Sequence, residues 1–403
     1  MPVLSRRDFF RQIACGARRA SAGRRGPVLV CVFLRGGADT LSLLVPHGDD
    51  GYYRARPTLA VPRPGSGTDS CVGLDGFYGL HPRLAPLHPL YRDGRLGFVQ
   101  AVGSDNPTGS HFEAQDQVEH GAGFERGRTP GGGWLGRHLR LAGSDAGPLS
   151  AIAIGTTLPE ALRGAPAASA ITTLDDLSLA LPAGDPDAFT RALGAMYAAQ
   201  ADELGDHGRE TLALLERVRA LRTAAYVPDA AASYGTDEFS RGLKEIARLI
   251  KADVGLEVAT IDLAGWDTHF VQGQIGGLIG GRIETLATGL AAFDTDLAAH
   301  RGRVTTLVLT EFGRRTYENS SLGTDHGRGF AVMALGAGIA GGKVHGRWPG
   351  LEAEANADGP GGLAVAIDYR SVLTEVLAGP LGQTRCAEVF PDFSPEHVGL
   401  VAG

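Results

Sequence analysis

Short apolar runs recur along the chain, and each ends in glycine or polar residues. Runs of this kind, without polar alternation, are typical of strands buried on both faces of a parallel sheet. We predict six such strands: 28–34, 96–102, 149–154, 258–263, 304–309 and 330–335. The last two, separated only by a polar loop, are predicted to be parallel neighbours.

Helical periodicity occupies much of the chain between these runs. Apolar residues recur at helical spacing in four segments: 210–225, 239–252, 282–300 and 368–377. The glycine-rich segment 271–281 is predicted to be a mobile loop. Strands that alternate with helices in this way predict an α/β fold.

Composition narrows the class of protein further. The length of 403 residues suits one large α/β domain or two smaller ones. The formal charge of −7 argues against a nucleic-acid partner held by phosphate contacts. No apolar run reaches the roughly 18 residues of a membrane span. The sequence leaves open the oligomeric state and whether Cys71 and Cys386 form a disulfide.

The N-terminus carries the motif SRRDFF at residues 5–10, which resembles a twin-arginine export signal. Such a signal continues with an apolar stretch of about 7–15 residues, and here arginines interrupt that stretch. Residues 1–26 are therefore predicted to be a twin-arginine-like signal or a basic tail, ahead of a single α/β domain in residues 27–403. A working signal predicts a periplasmic or exported protein, and a non-functional one predicts a cytoplasmic protein.

Acidic and imidazole side chains border the last two predicted strands. Glu311 follows the first of them, and Asp325 and His326 precede the second. In open α/β sheets, ligands bind in the crevice at the carboxyl ends of the strands. Carboxylates and imidazoles are suitable ligands for a divalent metal, so these residues are candidate ligands.

Two other strand ends carry the same residue types. Asp267 and His269 follow the strand 258–263 directly, although a bare Asp-x-His pair is common in proteins. Asp39 follows a Gly-Gly pair after the first strand, where a lone aspartate also serves as a helix N-cap or turn former. Only its similarity to the other clusters makes Asp39 a metal candidate.

Ser110 precedes a predicted helix, 111–119, and has Glu113 three residues on. This is the capping-box pattern of a helix N-terminus. The same position offers a second interpretation, because a hydroxyl near free N–H groups and a metal ion can become a nucleophile towards an anionic ester. The loop by itself favours the plain cap.

Six segments, spread over nearly the whole chain, carry a resemblance to a known family. They are SRRDFF at 5–10, FLRGGADTLSLLVP at 33–46, GSHFEAQDQVEHG at 109–121, GWDTH at 265–269, LTEFGRR at 309–315 and TDHGRG at 324–329. On these segments the chain resembles the domain-of-unknown-function family 1501, which looks like a branch of the alkaline phosphatase and sulfatase superfamily. The resemblance implies a three-layer α/β sandwich, with a mostly parallel central sheet between helices on both faces.

The resemblance also implies a ligand set and a nucleophile. Superfamily members bind two divalent ions through Asp and His, beside a Ser, Thr or Cys nucleophile. For this chain we expect one or two divalent ions, which could be Zn, Mn, Mg or Ca. The implied metal ligands are Asp39, Asp267, His269, Glu311, Asp325 and His326. The implied catalytic residues are Ser110 as the nucleophile, His111 beside it, and Arg314 facing the transferred group. Arg328 is a second candidate for the last role, and Arg314 is equally interpretable as a surface or ion-paired residue.

This chain departs from the superfamily pattern at two points. Glu311 is followed by Phe312 where relatives have histidine, and Asp267 lies closer to His269 than in alkaline phosphatases. Both departures put the binding of two ions in question.

The leading hypothesis is a metal-dependent hydrolase that acts on anionic small-molecule or glycan esters of phosphate or sulfate. The alternative is a non-catalytic protein of degenerate hydrolase fold that binds a surface glycan or an export partner. An esterase built on Ser110, His269 and Asp267 is less favoured, because the chain lacks a GxSxG elbow at this serine.

Overall fold

The computed structural model describes residues 26–124, 131–143, 147, 149–176, 185–223, 225–351 and 361–402. The predicted signal or basic tail lies outside the described residues apart from Gly26, and the division into a tail and a single domain stays a prediction. The described strands are β1 (Val28–Arg35), β2 (Leu44–Val45), β3 (Val72–Gly73), β4 (Gly79–Leu80), β5 (Leu96–Gly103), β6 (Ala151–Ile154), β7 (Ser169–Ile171), β8 (Val258–Ala264), β9 (Val304–Thr310), β10 (Phe330–Gly336), β11 (Val344–His345) and β12 (Ile367–Asp368).

Helices alternate with these strands, as the sequence predicts. The described α-helices are α1 (Thr40–Leu43), α2 (Asp50–Ala55), α3 (His88–Arg92), α4 (His111–His120), α5 (Trp134–Ala142), α6 (Pro186–Ala198), α7 (Glu203–Thr223), α8 (Glu238–Lys251), α9 (Gly277–Asp296), α10 (Tyr369–Ala378) and α11 (Cys386–Val389). The prediction of a mobile loop over 271–281 is wrong in part, because α9 already begins at Gly277.

None of the described helices combines the length and apolarity needed to cross a membrane. The thiols of Cys31, Cys71 and Cys386 are all free.

The main sheet has the order β11-β5-β10-β9-β1-β8-β6-β7, with β12 also beside β5. β1 is parallel to β8 and β9, and β6 is parallel to β7 and β8. β10 alone is antiparallel to both of its neighbours, β9 and β5. The prediction of a mostly parallel sheet is confirmed, whereas the prediction that 304–309 and 330–335 run parallel is wrong. A parallel return needs a crossover, usually helical, and the 311–329 loop contains no helix.

Helices cover both faces of this sheet. The side chains of Val30 and Val32 pack into one core with residues of α8 and α9. Leu29 and Phe33, which point the opposite way, pack into a second core with residues of α5 and α10. The structure is therefore the three-layer α/β sandwich that the resemblance implies.

One edge of the sheet collects the loops that carry polar side chains. Apart from β10, all strands of the main sheet whose pairings are given above point the same way. The loops that follow β1, β5, β8 and β9 therefore start at one edge. The 311–329 loop both leaves β9 and enters β10 at that edge, so residues at its two ends lie near each other.

Candidate metal centre

Three histidines from three different segments converge on one carboxylate, that of Asp267. His111 begins α4, His269 lies in the loop after β8, and His326 lies in the 311–329 loop. Their Nε2 atoms lie 3.4, 3.1 and 3.3 Å, respectively, from Asp267 Oδ1. His269 Nε2 and His326 Nε2 are 2.9 Å apart. Among the described residues, His111, Asp267 and His326 form a group able to hold a metal ion.

The opposite ring nitrogen of each histidine contacts an oxygen. The Nδ1 partners are Glu311 Oε1 for His111 (2.9 Å), Asp325 Oδ1 for His269 (2.9 Å) and the carbonyl of Gly109 for His326 (2.7 Å). An oxygen acceptor at Nδ1 holds the ring proton on that nitrogen. The lone pair of Nε2 is then free to bind a metal ion beside Asp267 Oδ1. Metal-binding histidines in proteins typically have this arrangement.

A second observation indicates that the three histidines and Asp267 fit a metal ion. His111 Nε2 is buried and has no hydrogen-bond partner in the part of the chain that the structure describes. Ligand atoms about 2.0–2.1 Å from one tetrahedral ion would lie about 3.4 Å from each other, close to the observed separations from Asp267 Oδ1. Without a cation or a shared proton, the Nε2 lone pairs of His269 and His326 would repel each other at 2.9 Å.

Arg314 holds Asp267 in place. Its buried guanidinium donates to Asp267 Oδ1 at 2.5 Å, and to the carbonyls of Gly37 and Thr324 at 2.6 and 2.8 Å. Burial acts to raise the pKa of Asp267, but the hydrogen bond and charge of Arg314 lower this pKa to about 2. Arg314 is thus directed at the protein, and its predicted contact with substrate has no support in this geometry.

Glu311 lies behind His111 and is itself surrounded by donors. Its Oε1 atom accepts hydrogen bonds from Gly36 N and Gln115 Nε2, both at 2.9 Å, and its Oε2 atom accepts one from the Thr310 hydroxyl. Burial acts to raise the pKa of Glu311, but the hydrogen bonds from His111 and Gln115 lower it. Since both oxygens are occupied, the structure favours a supporting role for Glu311 over direct metal binding.

Asp39 is part of a buried ion pair rather than of the histidine group. Its two oxygens accept from the two terminal nitrogens of Arg56 at 2.6 and 3.0 Å, and both side chains are fully buried. Ser42 Oγ and Gln272 Nε2 donate to the same carboxylate at 2.7 Å. The role of Asp39 as a ligand stays a prediction, and its side chain does not cap α1.

Ser110 caps α4, as its sequence pattern indicates. Its half-buried Oγ accepts from Glu113 N at 3.5 Å. Ser110 is also adjacent in the chain to Gly109 and His111, each of which contacts or belongs to the histidine group. Within the described residues, no hydrogen bond joins Ser110 to a histidine, so the esterase arrangement with His269 has no support.

The sequence predicted most of the residues that converge here, but it assigned His111 to catalysis and missed its partner Gln115. Both side chains contact Glu311 Oε1. His111 and Gln115 are four residues apart on a helix, a spacing that places them on one face. That spacing is the signal by which the pair could have been found.

Removal of the Asp325 carboxylate should weaken metal binding without abolishing it. Asp325 accepts from His269 Nδ1 at 2.9 Å and from Asn319 Nδ2 at 3.0 Å, and thereby orients the imidazole. For Asp325→Ala we expect the affinity for Zn²⁺ to fall by about 10- to 100-fold, measured by competition with a chelating dye. Asp69→Ala, which removes an exposed carboxylate, should bind as the wild type does. Equal affinities in the two variants would remove Asp325 from this role.

Comparisons with known proteins agree with the predicted family. The family model described as "Protein of unknown function (DUF1501)" matches residues 98–362, which include all four side chains of the convergent group. No curated protein matches the chain.

Several solved structures are similar to this chain at low identity. The C-terminal periplasmic domain of EcEptC from Escherichia coli, in complex with Zn, is 11% identical, with 80% of this chain and 76% of that chain covered and a TM-score of 0.35. A 2-O GAG sulfatase is 10% identical (78% and 65% covered, TM-score 0.28), and the alkaline phosphatase from the Antarctic bacterium TAB5 is 11% identical (79% and 94%, 0.28). A likeness this low carries no argument about the activity of this chain. The family match alone covers more than half of the sequence, and the chain therefore belongs to the DUF1501 family of proteins of unknown function.

Proposed function

We propose that the protein is a metal-dependent hydrolase of phosphate or sulfate esters. One divalent ion would be held by His111, Asp267, His269 and His326. The observation that carries the proposal is the convergence of three imidazole Nε2 atoms on Asp267 Oδ1, with each Nδ1 held by an oxygen behind it.

The geometry favours one ion over two, and it favours some metals over others. The oxygens of Asp39 and Glu311, which would help to hold a second ion, already accept hydrogen bonds from Arg56, Ser42 and Gln272 and from backbone and side-chain donors. Three imidazoles with one carboxylate suit Zn²⁺ better than Mn²⁺, Mg²⁺ or Ca²⁺, which prefer oxygen ligands.

The chain's own residues would then divide the work of hydrolysis. A bound ion would act as a Lewis acid that offsets the negative charge on the ester group. The Ser110 oxygen would form a bond to the phosphorus or sulfur while the ester oxygen leaves with the serine proton as an alcohol. Water would then release phosphate or sulfate and restore the serine hydroxyl. Arg314 would keep Asp267 ionised and in position throughout.

Replacement of Ser110 tests the nucleophile. For Ser110→Asn we expect turnover of p-nitrophenyl phosphate or p-nitrocatechol sulfate to fall by at least about 1,000-fold, with the Zn²⁺ content unchanged. Asparagine is also a good N-cap residue, so this variant removes the hydroxyl but keeps an oxygen that can accept from Glu113 N. The control Asp237→Ala removes the cap of α8 instead and should leave turnover unchanged. Equal turnover in wild type and Ser110→Asn would rule out Ser110 as the nucleophile.

A non-catalytic binding protein is the second candidate. It is favoured by one observation, namely that the Ser110 hydroxyl serves as a helix cap and has no basic side chain hydrogen-bonded to it in the described structure. A preparation that holds one Zn²⁺ per chain and turns over neither ester would support this candidate over the hydrolase.

Export by the twin-arginine route stays a proposal, because the motif at residues 5–10 lies outside the described residues. An extracellular or periplasmic location would fit a chain that acts on glycan esters. Cell fractionation of the full-length protein and of an Arg6→Lys, Arg7→Lys variant would decide between export and a cytoplasmic location.

A further inference from the structure

A small cavity lies between the loop that precedes α4 and the loop that precedes β10. Its wall includes Ser104, Asn106, Gly109, Glu311, Phe312 and Arg328. Three of these residues also contact the histidine group, and one of them, Glu311, does so through His111 Nδ1. The Gly109 carbonyl accepts from His326, and the Phe312 ring lies 4.9 and 4.8 Å, between centroids, from the rings of His111 and His326. The cavity is therefore directly adjacent to the candidate metal centre.

Asn106 contributes an N–H donor that has no acceptor among the described residues. The residue is only 7% exposed, and its Nδ2 atom is buried without a hydrogen-bond partner among the residues described. Its Oδ1 atom accepts from Thr108 N at 2.8 Å and from the Thr108 hydroxyl at 2.7 Å. These two bonds identify which end of the amide is the oxygen, so the NH₂ group is the free end. Buried donors without partners are rare in folded proteins and require an explanation.

Arg328 contributes a positive charge to the cavity wall. Its Nε atom is also buried without a partner in the described part of the chain. The only hydrogen bond that its side chain donates there runs from Nη2 to the Ser104 carbonyl, at a long 3.5 Å. None of the described acidic residues forms an ion pair with it. This differs from Arg314, whose N–H groups are directed at Asp267 and at carbonyl oxygens.

The N-terminus of α4 adds a third favourable feature for an anion. This ten-residue helix begins at His111, beside the cavity, and the first turn of a helix presents free N–H groups and the positive end of its dipole. Among the described residues of the cavity wall, Glu311 is the only one with a carboxylate. Its oxygens already accept from Gly36 N, Gln115 and His111, which reduces its repulsion of a second anion.

We propose that this cavity binds one oxygen of the phosphate or sulfate group of the substrate, through Asn106 Nδ2 and the Arg328 guanidinium. The cavity volume is about 10 Å³, which is room for one oxygen-sized atom, so the remainder of the anion stays outside, towards Ser110. Ser104, Gly109 and Arg328 are half-buried, which leaves the cavity accessible from solvent. This inference rests on the proposed function, and it defines the substrate as an ester of a tetrahedral oxyanion.

Binding of inorganic phosphate and of sulfate to the full-length, Zn²⁺-treated protein tests the inference. Asn106→Asp keeps the oxygen that accepts from Thr108 and replaces the free NH₂ group with an oxygen. Arg328→Gln removes the positive charge. For each variant we expect the dissociation constant of phosphate or sulfate, measured by calorimetry, to rise by about 10-fold or more. The Zn²⁺ content and the thermal midpoint should stay at wild-type values.

Arg92→Gln is the matched control, because it removes the same charge from an exposed position of α3 and should leave anion binding unchanged. Wild-type anion affinity in both cavity variants would overturn the inference and assign the cavity to a bound water. A wild-type protein that binds phosphate or sulfate but holds no Zn²⁺ would instead overturn the proposed metal centre and leave the anion site standing. The two failures are thus distinguishable.

Discussion

Replacement of Arg56 by alanine is expected to lower the free energy of unfolding by about 3 to 5 kcal/mol, which would be a large part of the stability of the domain. The guanidinium and its partner Asp39 are both fully buried. Loss of the cation would leave a carboxylate inside the protein with its charge unpaired. The carbonyl oxygens of Thr316 and Arg315, which accept from the same guanidinium at 2.8 Å, would also lose their donors.

The measurement is the denaturation midpoint of variant and wild type in urea, followed by circular dichroism. Arg54→Ala is the matched control, because Arg54 is exposed in α2, the helix that Arg56 follows directly as its C-cap. Its loss should change stability by no more than about 0.5 kcal/mol. Arg56→Met separates charge from volume and should also be strongly destabilised. The double variant with Asp39→Asn should recover part of that loss, since no buried charge then remains unpaired. If Arg56→Ala and Arg54→Ala unfold at the same urea concentration, the buried ion pair does not stabilise the fold.

Replacement of His326 by alanine should have the largest effect on metal binding. This histidine is 2.9 Å from His269 Nε2 and 3.3 Å from Asp267 Oδ1, so it contacts two other members of the group. Loss of residues that merely orient ligands costs about 10- to 100-fold in affinity, so loss of a ligand should cost at least about 100-fold. The wild-type protein should hold one Zn²⁺ per chain by elemental analysis after dialysis, and the variant should hold none.

His88→Ala is the control for this measurement, because His88 lies outside the group, at the start of α3. It should retain the full metal content. An anomalous-scattering map of Zn²⁺-loaded crystals should place the ion among His111, Asp267, His269 and His326. A variant His326→Ala that keeps one tightly bound Zn²⁺ would show that the ion lies elsewhere, and the hydrolase proposal would then lose its main support.

The sequence predicted the strands well, because buried parallel strands are local signals. The run 28–34 has no polar residue, and in the structure it is β1, paired on both sides. The direction of β10 was not predictable from its own residues, since the apolar run 330–335 fits either orientation. It depends on the lack of a crossover helix in the 311–329 loop, which is a property of the neighbouring segment and not of the strand.

The candidate site was predictable where a motif places residues after a strand, as for Asp267 and His269. It was less predictable where the partner is remote. Asp39 is a plausible ligand by position, but its pairing with Arg56 depends on how the segment 40–55, with α1, β2 and α2, folds back, and no local pattern indicates it. The free donor of Asn106 was likewise hidden. Only the folded loop shows that Thr108 donates to the amide oxygen and that no described residue accepts from the amide nitrogen.

The position of β5 in the sheet has a consequence for how the protein is made. All eight residues of β5 are buried, and its strand partners among the described residues are β10, β11 and β12, each of which lies beyond residue 329. A nascent chain that has emerged only as far as β9 therefore carries an apolar strand without its neighbours. Pairings this distant along the chain form slowly, and unpaired strand edges attract other chains. β5 therefore stays prone to aggregation until the C-terminal part of the chain, which carries β10, β11 and β12, has been synthesised.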